Sequence, residues 1–278
     1  ILSRLRSDAL AMPPDQLEQV LVAAYGEEWN DTLYSFDYRP LAAASIGQVH
    51  RAVSQQGQQL VLKIQYPGVR ESIDSDIDNV ATLLRLSGLL PDGIDIGPLL
   101  QVAKQQLRDE ADYLKEAQYL QRYATALAGD DRFTCPVVEQ QLCTRDILAM
   151  SYLEGESIES VAAQDATERD RVVSSMIELL FKEIFDFHLV QTDPNFANYQ
   201  YNPQSGKLVL LDFGACQDFD KTFINGYRRL CKAWLNEDRE QIEKAAEAIG
   251  YGFGDDPAYA DLMYDIFTMA SEPLRFRG

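Results

Sequence analysis

Two short stretches hold the residues whose types and spacing best suggest chemistry. QTDPNFAN (Gln191 to Asn198) sets Asp193 five positions before Asn198, and LLDFGA (Leu210 to Ala215) ends an apolar run on Asp212. An Asp and an Asn at D-x-x-x-x-N spacing, followed by D-F-G, would serve phosphoryl transfer from ATP. The first carboxylate orients the incoming nucleophile, while the amide and the second carboxylate hold Mg2+ through hard oxygen atoms. That chemistry also needs a cation on the α/β-phosphates. Lys63 in VLKIQ matches the V-A-I-K lysine, which sits on a third strand and pairs with phosphate and with a helix glutamate. Each match alone is weak, because D-x-x-x-x-N recurs by chance and a lysine on the outer face of a strand is ordinary. Their order along the chain carries the reading.

These residues must be brought together by a small set of elements. PPDQLEQVLVAAYG (residues 13–26) has apolar Leu17, Val20 and Leu21 between prolines and a final glycine, and predicts a short helix. Residues 41–66 contain two β-rich runs, Gly47 to Val53 and Gln59 to Gln65, joined by the turn SQQGQ. The second run puts Leu60, Leu62 and Ile64 on one face and Val61, Lys63 and Gln65 on the other. Helices are expected over about Ser72 to Leu89 and over Ile96 to Leu127. The latter carries Glu110 and Glu116 six residues apart, about 120° from a common face, so that one can meet Lys63 and the other a second partner. Strands near Val137 to Cys143 and Asp146 to Leu153 complete a sheet, and Gly155 to Ser157 reads as a linker. Val172, Met176, Leu179, Leu180, Ile184 and Phe187 lie at helical spacing before the Asp193 loop, where Pro194 restrains the backbone. The signal Asn202-Pro203-Gln204-Ser205-Gly206 makes a hairpin of the 19 positions from Asp193 to Asp212, so that the two metal-ligand candidates can meet at its end.

Composition bounds the rest. At 278 residues and 46% hydrophobic content the chain can pack a core, as one large or two small domains. A formal charge of −19 repels polyanions and argues against nucleic-acid binding. Cys135, Cys143, Cys216 and Cys231 form no C-x-x-C pair, and His50 and His188 are the two histidines, which points away from zinc and toward a reducing compartment. No apolar run approaches the ~18 residues of a spanning helix. The opening ILSRLRSDAL lacks a signal or transit pattern and reads as the inside of a helix, as expected of a piece of a longer protein.

Taken together, LAAASIGQVHRA (Leu41 to Ala52), VLKIQYPGV (Val61 to Val69), EADYLKEA (Glu110 to Ala117), QTDPNFAN and LLDFGA resemble the UbiB family of atypical kinase-like proteins, the group linked to coenzyme Q biosynthesis. The resemblance spans essentially the whole chain. The QTDPN form is similar to the mitochondrial coenzyme Q branch and its bacterial relatives more than to the HADPHPGN form. It implies an α+β, bilobal protein-kinase-like fold, with a small β-sheet N-lobe carrying extra helices over 1–154 and a mainly helical C-lobe over 155–278. It assigns Lys63 to phosphate, Glu116 as its helix partner, and Glu110 with Asp112 to the family's regulatory E-x-D element. Asp193 becomes the catalytic-loop Asp, with Asn198 and Asp212 as Mg2+ ligands. Ala42, Ala43, Ala44 and Ser45 look like the family's alanine-rich substitute for a glycine loop. Their Cβ atoms restrict φ, so the nucleotide should sit differently. MSYLEG, Met150 to Gly155, looks like the hinge that receives adenine, with Met150 near the gatekeeper position and Tyr152 among the nucleotide-contacting residues.

Two departures bear on activity. The family's K-x-G-Q helix, expected upstream of MPPDQ, is absent from this sequence, and so is its lysine partner for Glu110. Relative to typical protein kinases, H-R-D is replaced by Gln191-Thr192-Asp193 and no A-P-E follows D-F-G, so a segment that docks peptide substrates is lacking. The resemblance therefore implies an ATP- and Mg2+-dependent ATPase or small-molecule phosphotransferase that supports ubiquinone synthesis. Its partners would be quinone-biosynthesis enzymes or lipid precursors, reached by peripheral membrane contact. It would sit in the cytoplasm or on the inner membrane in a bacterium, and on the matrix side of the inner membrane in a mitochondrion. A nucleotide-binding pseudokinase scaffold and an ordinary protein kinase are the competing readings.

Overall fold

The PPDQLEQVLVAAYG stretch forms helix α1 (Pro14–Tyr25), with a proline at its first position, where the missing N–H costs nothing. Gly26 ends it at φ 91°, and Leu17 and Leu21, one turn apart, are fully buried. This computed structural model describes residues 12–87, 96–193, 195–252 and 257–275. The readings made on ILSRLRSDAL, on Pro194 and on the last residues of the Ser72 to Leu89 helix lie outside them.

Helix α1 packs Leu17 and Leu21 into the core formed with a four-stranded antiparallel sheet. The chain runs through β1 (Leu33–Ala43), β2 (Gly47–Ser54), β3 (Gln59–Gln65), α2 (Val69–Ser87), α3 (Gly97–Glu110), α4 (Tyr113–Ala126), β4 (Phe133–Thr134) and β5 (Ile147–Ser151). The sheet order is β1-β2-β3-β5. Leu60, Leu62 and Ile64 pack with Leu17, Leu21, Trp29, Leu33, Ile147 and Ala149. The other face of β3 is also covered: Val61, Lys63 and Gln65 are all buried.

Four details differ from the sequence reading. Strand β1 was not anticipated; its register against β2 slips three times and Pro40 lies inside it, features of an irregular edge strand. The single helix expected over Ile96 to Leu127 is two helices, broken at Ala111 and Asp112, where the Asp112 side chain accepts from the N–H groups of Leu114 and Lys115 and caps α4. Glu110 and Glu116 therefore stand on different helices. The strand expected over Val137 to Cys143 contributes one bridge, Val138 to Met150, before the chain turns into a 3-10 turn over Gln140–Leu142 that buries Leu142. The linker at Gly155 to Ser157 holds a short strand, β6 (Glu156–Ser157).

The remaining elements are α5 (Ala166–Lys182), a π turn (Glu183–Phe187), β7 (Leu189–Gln191), β8 (Tyr199–Asn202), β9 (Lys207–Leu210), β10 (Cys216–Asp218), α6 (Lys221–Leu235), α7 (Arg239–Glu247) and α8 (Pro257–Arg275). A second sheet has the order β4-β9-β8-β6, with β4 parallel to β9. The β8–β9 hairpin turns where the sequence placed it: Asn202 Oδ1 accepts from Gln204 and Ser205 N–H, and Gly206 takes a φ of 69°.

The chain divides into two compact units, residues 1–172 with 192–216 and residues 173–191 with 217–278. The first contains both four-stranded sheets. The second packs Leu230, Ala233, Trp234, Ile242 and Ala246 into its own core, with α6 and α7 capped by Asp220 and Asp238. Among the described residues no helix is long and apolar enough to cross a membrane.

Candidate functional site

Strand β3 delivers Lys63 because its register places that residue between Val49 on β2 and Leu148 on β5, with the side chain on the face opposite α1. The ammonium Nζ lies 2.9 and 3.0 Å from the two carboxylate oxygens of Glu116 on α4, and 3.4 Å from Asp212 Oδ2. It also sits 5.2 Å from the centre of the Tyr113 ring. Glu116 is 1% exposed and further accepts the Phe213 N–H at 3.4 Å. The D-F-G turn is shaped around these groups. Gly214 N–H donates to Asp212 Oδ1 at 2.9 Å, and a Cβ on Gly214 would crowd that oxygen at 3.3 Å while meeting Glu116 Oε2 at an ordinary contact distance of 3.5 Å. Phe213 is buried against Tyr123, ring centres 5.0 Å apart.

Burial works against both charges of the pair. It disfavours the Lys63 ammonium, but the carboxylates of Glu116 and Asp212 outweigh it and hold the lysine charged, above its ordinary range. Burial pushes the Glu116 carboxyl up to about 7, against the pull of Lys63.

Asp193 and Asn198 form a second contact. Asn198 Nδ2 donates to Asp193 Oδ2 at 3.1 Å and to the Asp193 carbonyl at 3.3 Å. Inside the loop, the Asn195 side chain accepts from Ala197 N–H. Both ends of the loop are tied to the D-F-G segment. Thr192 donates through N–H and Oγ1 to the Ala215 carbonyl, at 3.2 and 2.7 Å, and Leu211 N–H donates to the Asn198 carbonyl at 3.0 Å. The β8–β9 hairpin thus brings Asn198 beside the residue preceding Asp212.

Ala42 and Ala43 end β1 opposite Val49 and Gln48, while Ala44 N–H closes the turn on the Gly47 carbonyl. The non-glycine residues at positive φ, among those described, are His188 and Glu237, so the alanine-rich turn is built at negative φ. Ser45 Oγ donates to Glu110 Oε1 at 2.5 Å, so Glu110 turns to this loop while Glu116 turns to Lys63. Met150 is buried on β5 opposite Val61. Tyr152 is held by Arg51, whose guanidinium stacks 4.3 Å from the ring and donates to its hydroxyl at 2.8 Å. The N–H groups of Ser151 and Tyr152 are engaged by the carbonyls of Val137 and Gln59.

Sequence reasoning passed over Tyr113. Its ring underlies Lys63, and its fully buried hydroxyl has no hydrogen-bond partner among the described residues. The only available signal was its position between the two glutamates. Among the described residues no cluster of three His, Cys, Asp or Glu side chains could hold a metal ion by itself. Asn198 and Asp212 supply oxygen donors alone, which fits Mg2+, an ion that completes its shell with water and phosphate oxygens.

A β-sheet bearing a buried Lys–Glu pair, followed by an Asp–Asn loop, a hairpin and D-F-G, defines a protein-kinase-like fold of the α+β class. The chain belongs to the ABC1 atypical kinase-like family, whose domain model matches residues 4–246, and the UbiB resemblance read from its motifs is borne out. It is 39% identical over 282 residues to the mitochondrial atypical kinase COQ8 of Schizosaccharomyces pombe, a match covering 99% of this chain and 45% of that protein. It is 38% identical over 276 residues to the mitochondrial atypical kinase COQ8 of Saccharomyces cerevisiae, covering 99% and 55%. The chain thus spans about half the length of the curated relatives it matches. The Rv3197–erythromycin complex from Mycobacterium tuberculosis shares the fold, with a TM-score of 0.75 at 24% identity, covering 96% of this chain and 68% of that one.

Proposed function

We propose that this chain is the nucleotide-handling domain of an atypical kinase-like ATPase that uses ATP and Mg2+ in support of coenzyme Q biosynthesis, acting on or near membrane lipid precursors. The observation that carries the reading is the contact of buried Lys63 with buried Glu116 and with half-buried Asp212. A charged lysine held under a carboxylate is poised for the α/β-phosphates, and Glu116 fixes its direction. Asp193, oriented by the Asn198 amide, would accept a hydrogen bond from the incoming nucleophile. Asn198 and Asp212 would hold Mg2+, which neutralises charge developing on the transferred phosphoryl group. With the Ser151 and Tyr152 N–H groups engaged, adenine would meet the backbone beyond Tyr152, at the lobe boundary we place at Glu154 and Gly155.

The similarity to mitochondrial COQ8 proteins supports the coenzyme Q link, a mitochondrial place in a eukaryote, and association with quinone-biosynthesis enzymes. A substrate other than a peptide is favoured because α6 begins at Lys221, six residues past Ala215, which leaves little chain for an activation segment. The test is Mg2+-dependent ATP hydrolysis by the wild type and Asp193→Asn, with and without liposomes carrying a polyprenylated phenol. Turnover that the liposomes stimulate and Asp193→Asn abolishes is expected. Nucleotide binding without turnover under every condition would replace this reading with the scaffold.

A further inference from the structure

One arginine outside every recognised motif holds the point from which both site glutamates hang. A straight helix through residues 96–127 would set Glu110 and Glu116 about 120° and about 9 Å apart along one axis. The break at Ala111 lets Glu110 reach Ser45 while Glu116 reaches Lys63. Such a break leaves the last carbonyls of α3 without helical partners. The Ala111 residue is fully buried, and its carbonyl accepts from Arg70 Nη2 at 2.9 Å, Arg70 Nε at 3.3 Å and Gln65 Nε2 at 3.2 Å. A guanidinium is favoured here because the C-terminal end of a helix carries partial negative charge.

The same Arg70 Nη2 reaches Asp146 Oδ1 at 2.7 Å and the Arg145 carbonyl at 3.1 Å. The Tyr113 N–H, first in α4, donates to that Arg145 carbonyl at 3.1 Å, and Gln65 N–H donates to the Asp146 carbonyl at 2.9 Å. Arg70 therefore joins the start of α2, the end of β3, the approach to β5 and the α3–α4 elbow in one network. Its planar fork meets Ala111 through two nitrogens while still reaching Arg145 and Asp146, which the single ammonium of a lysine cannot do.

We propose that Arg70 is a positioning residue for the nucleotide site, acting through the Ala111 carbonyl to hold Glu116 against Lys63 and Glu110 against Ser45. This rests on the ATP reading above, so its test includes a readout that needs no nucleotide. Mg2+-ATP affinity is measured for the wild type, Arg70→Ala, Arg70→Lys, Glu116→Gln and the Arg70→Ala/Glu116→Gln double variant. The Glu116 carboxyl titration is followed by NMR on 13C-carboxyl-labelled wild type and Arg70→Ala.

Both single Arg70 variants should weaken binding by about tenfold or more, the scale of a misplaced binding group. In the Glu116→Gln background the Arg70→Ala loss should shrink, since the part carried by Glu116 acts in series with Arg70 and only the part carried by Glu110 remains. The Glu116 titration should shift in Arg70→Ala. Additive losses together with an unchanged Glu116 titration would overturn the proposal and leave Arg70 a structural staple. Failure of the wild type to bind Mg2+-ATP would sink the ATP reading instead, and the Glu116 titration would then decide the role of Arg70. The Arg70 side chain is 27% exposed, and its removal also takes two donors from the buried Ala111 carbonyl; should Arg70→Ala fail to fold, Arg70→Lys carries both measurements.

Discussion

Lys63 Nζ sits 2.9 and 3.0 Å from the two oxygens of Glu116, a residue 53 positions away on another element, and both partners are buried. Taking two such charges out of water is costly, and removing one partner strands the other. Glu116→Gln should therefore lower stability by about 3–5 kcal/mol, while Lys63→Met/Glu116→Leu should recover most of that loss. Urea denaturation of the three proteins checks this. A double variant no more stable than Glu116→Gln would show that the pair is not the unit.

Gly47 opens β2 against the end of β3. A Cβ there would collide with the Ile64 carbonyl, which belongs to the paired backbone and cannot rotate away. Gly47→Ala should cost about 1–3 kcal/mol by overpacking. The change should also disturb the alanine-rich turn, because Ala44 N–H bonds to the Gly47 carbonyl. Thermal melting together with amide exchange at residues 44–48 reads both effects, and a melt matching the wild type would contradict this account.

Glu168 should give stability an acid limb. Hydrogen bonds from Arg171, at 2.6 and 2.7 Å, and from the Tyr201 hydroxyl, at 2.6 Å, hold its carboxyl down to about 2 from an ordinary 4.5. The unfolded chain takes up this proton near 4.5 and the folded chain only near 2. The contribution is complete above 4.5 and is lost as pH falls from 4.5 through 2. Arg171 also donates to the Gly206 carbonyl at 2.5 Å, so acid should loosen the β8–β9 hairpin. Glu168→Gln should flatten this limb in denaturation midpoints measured between pH 5 and 2; an unchanged slope would remove Glu168 from the account.

The site was legible in the sequence wherever a strong local signal coincided with a motif. Lys63 lay in an alternating strand, and Asn202 to Gly206 turned the chain so that Asn198 meets the residue before Asp212. The helix break at Ala111 was not legible. Ala111 is a good helix former and the apolar period runs through it, so only Asp112 hinted at a new N-terminus. Long-range bonds made by Arg70 and Gln65 supply the competing stabilisation, and no local rule reports them. Strand β1 was hidden by Pro40 and by its mostly exposed side chains. The Val137 to Cys143 run looked like a strand, but core burial of Leu142, with its carbonyl bound by the Tyr25 hydroxyl at 2.6 Å, favoured a turn.

The measurement that bears most directly on the central claim is calorimetric titration of ATP into the wild type and Asp212→Asn, each with and without Mg2+. Asp212 lies where Lys63 and the D-F-G turn meet, and its carboxylate is the expected charged ligand of the metal. The account predicts that Mg2+ tightens ATP binding to the wild type and that Asp212→Asn loses this dependence. Wild-type binding indifferent to Mg2+, or no ATP binding at all, would contradict it.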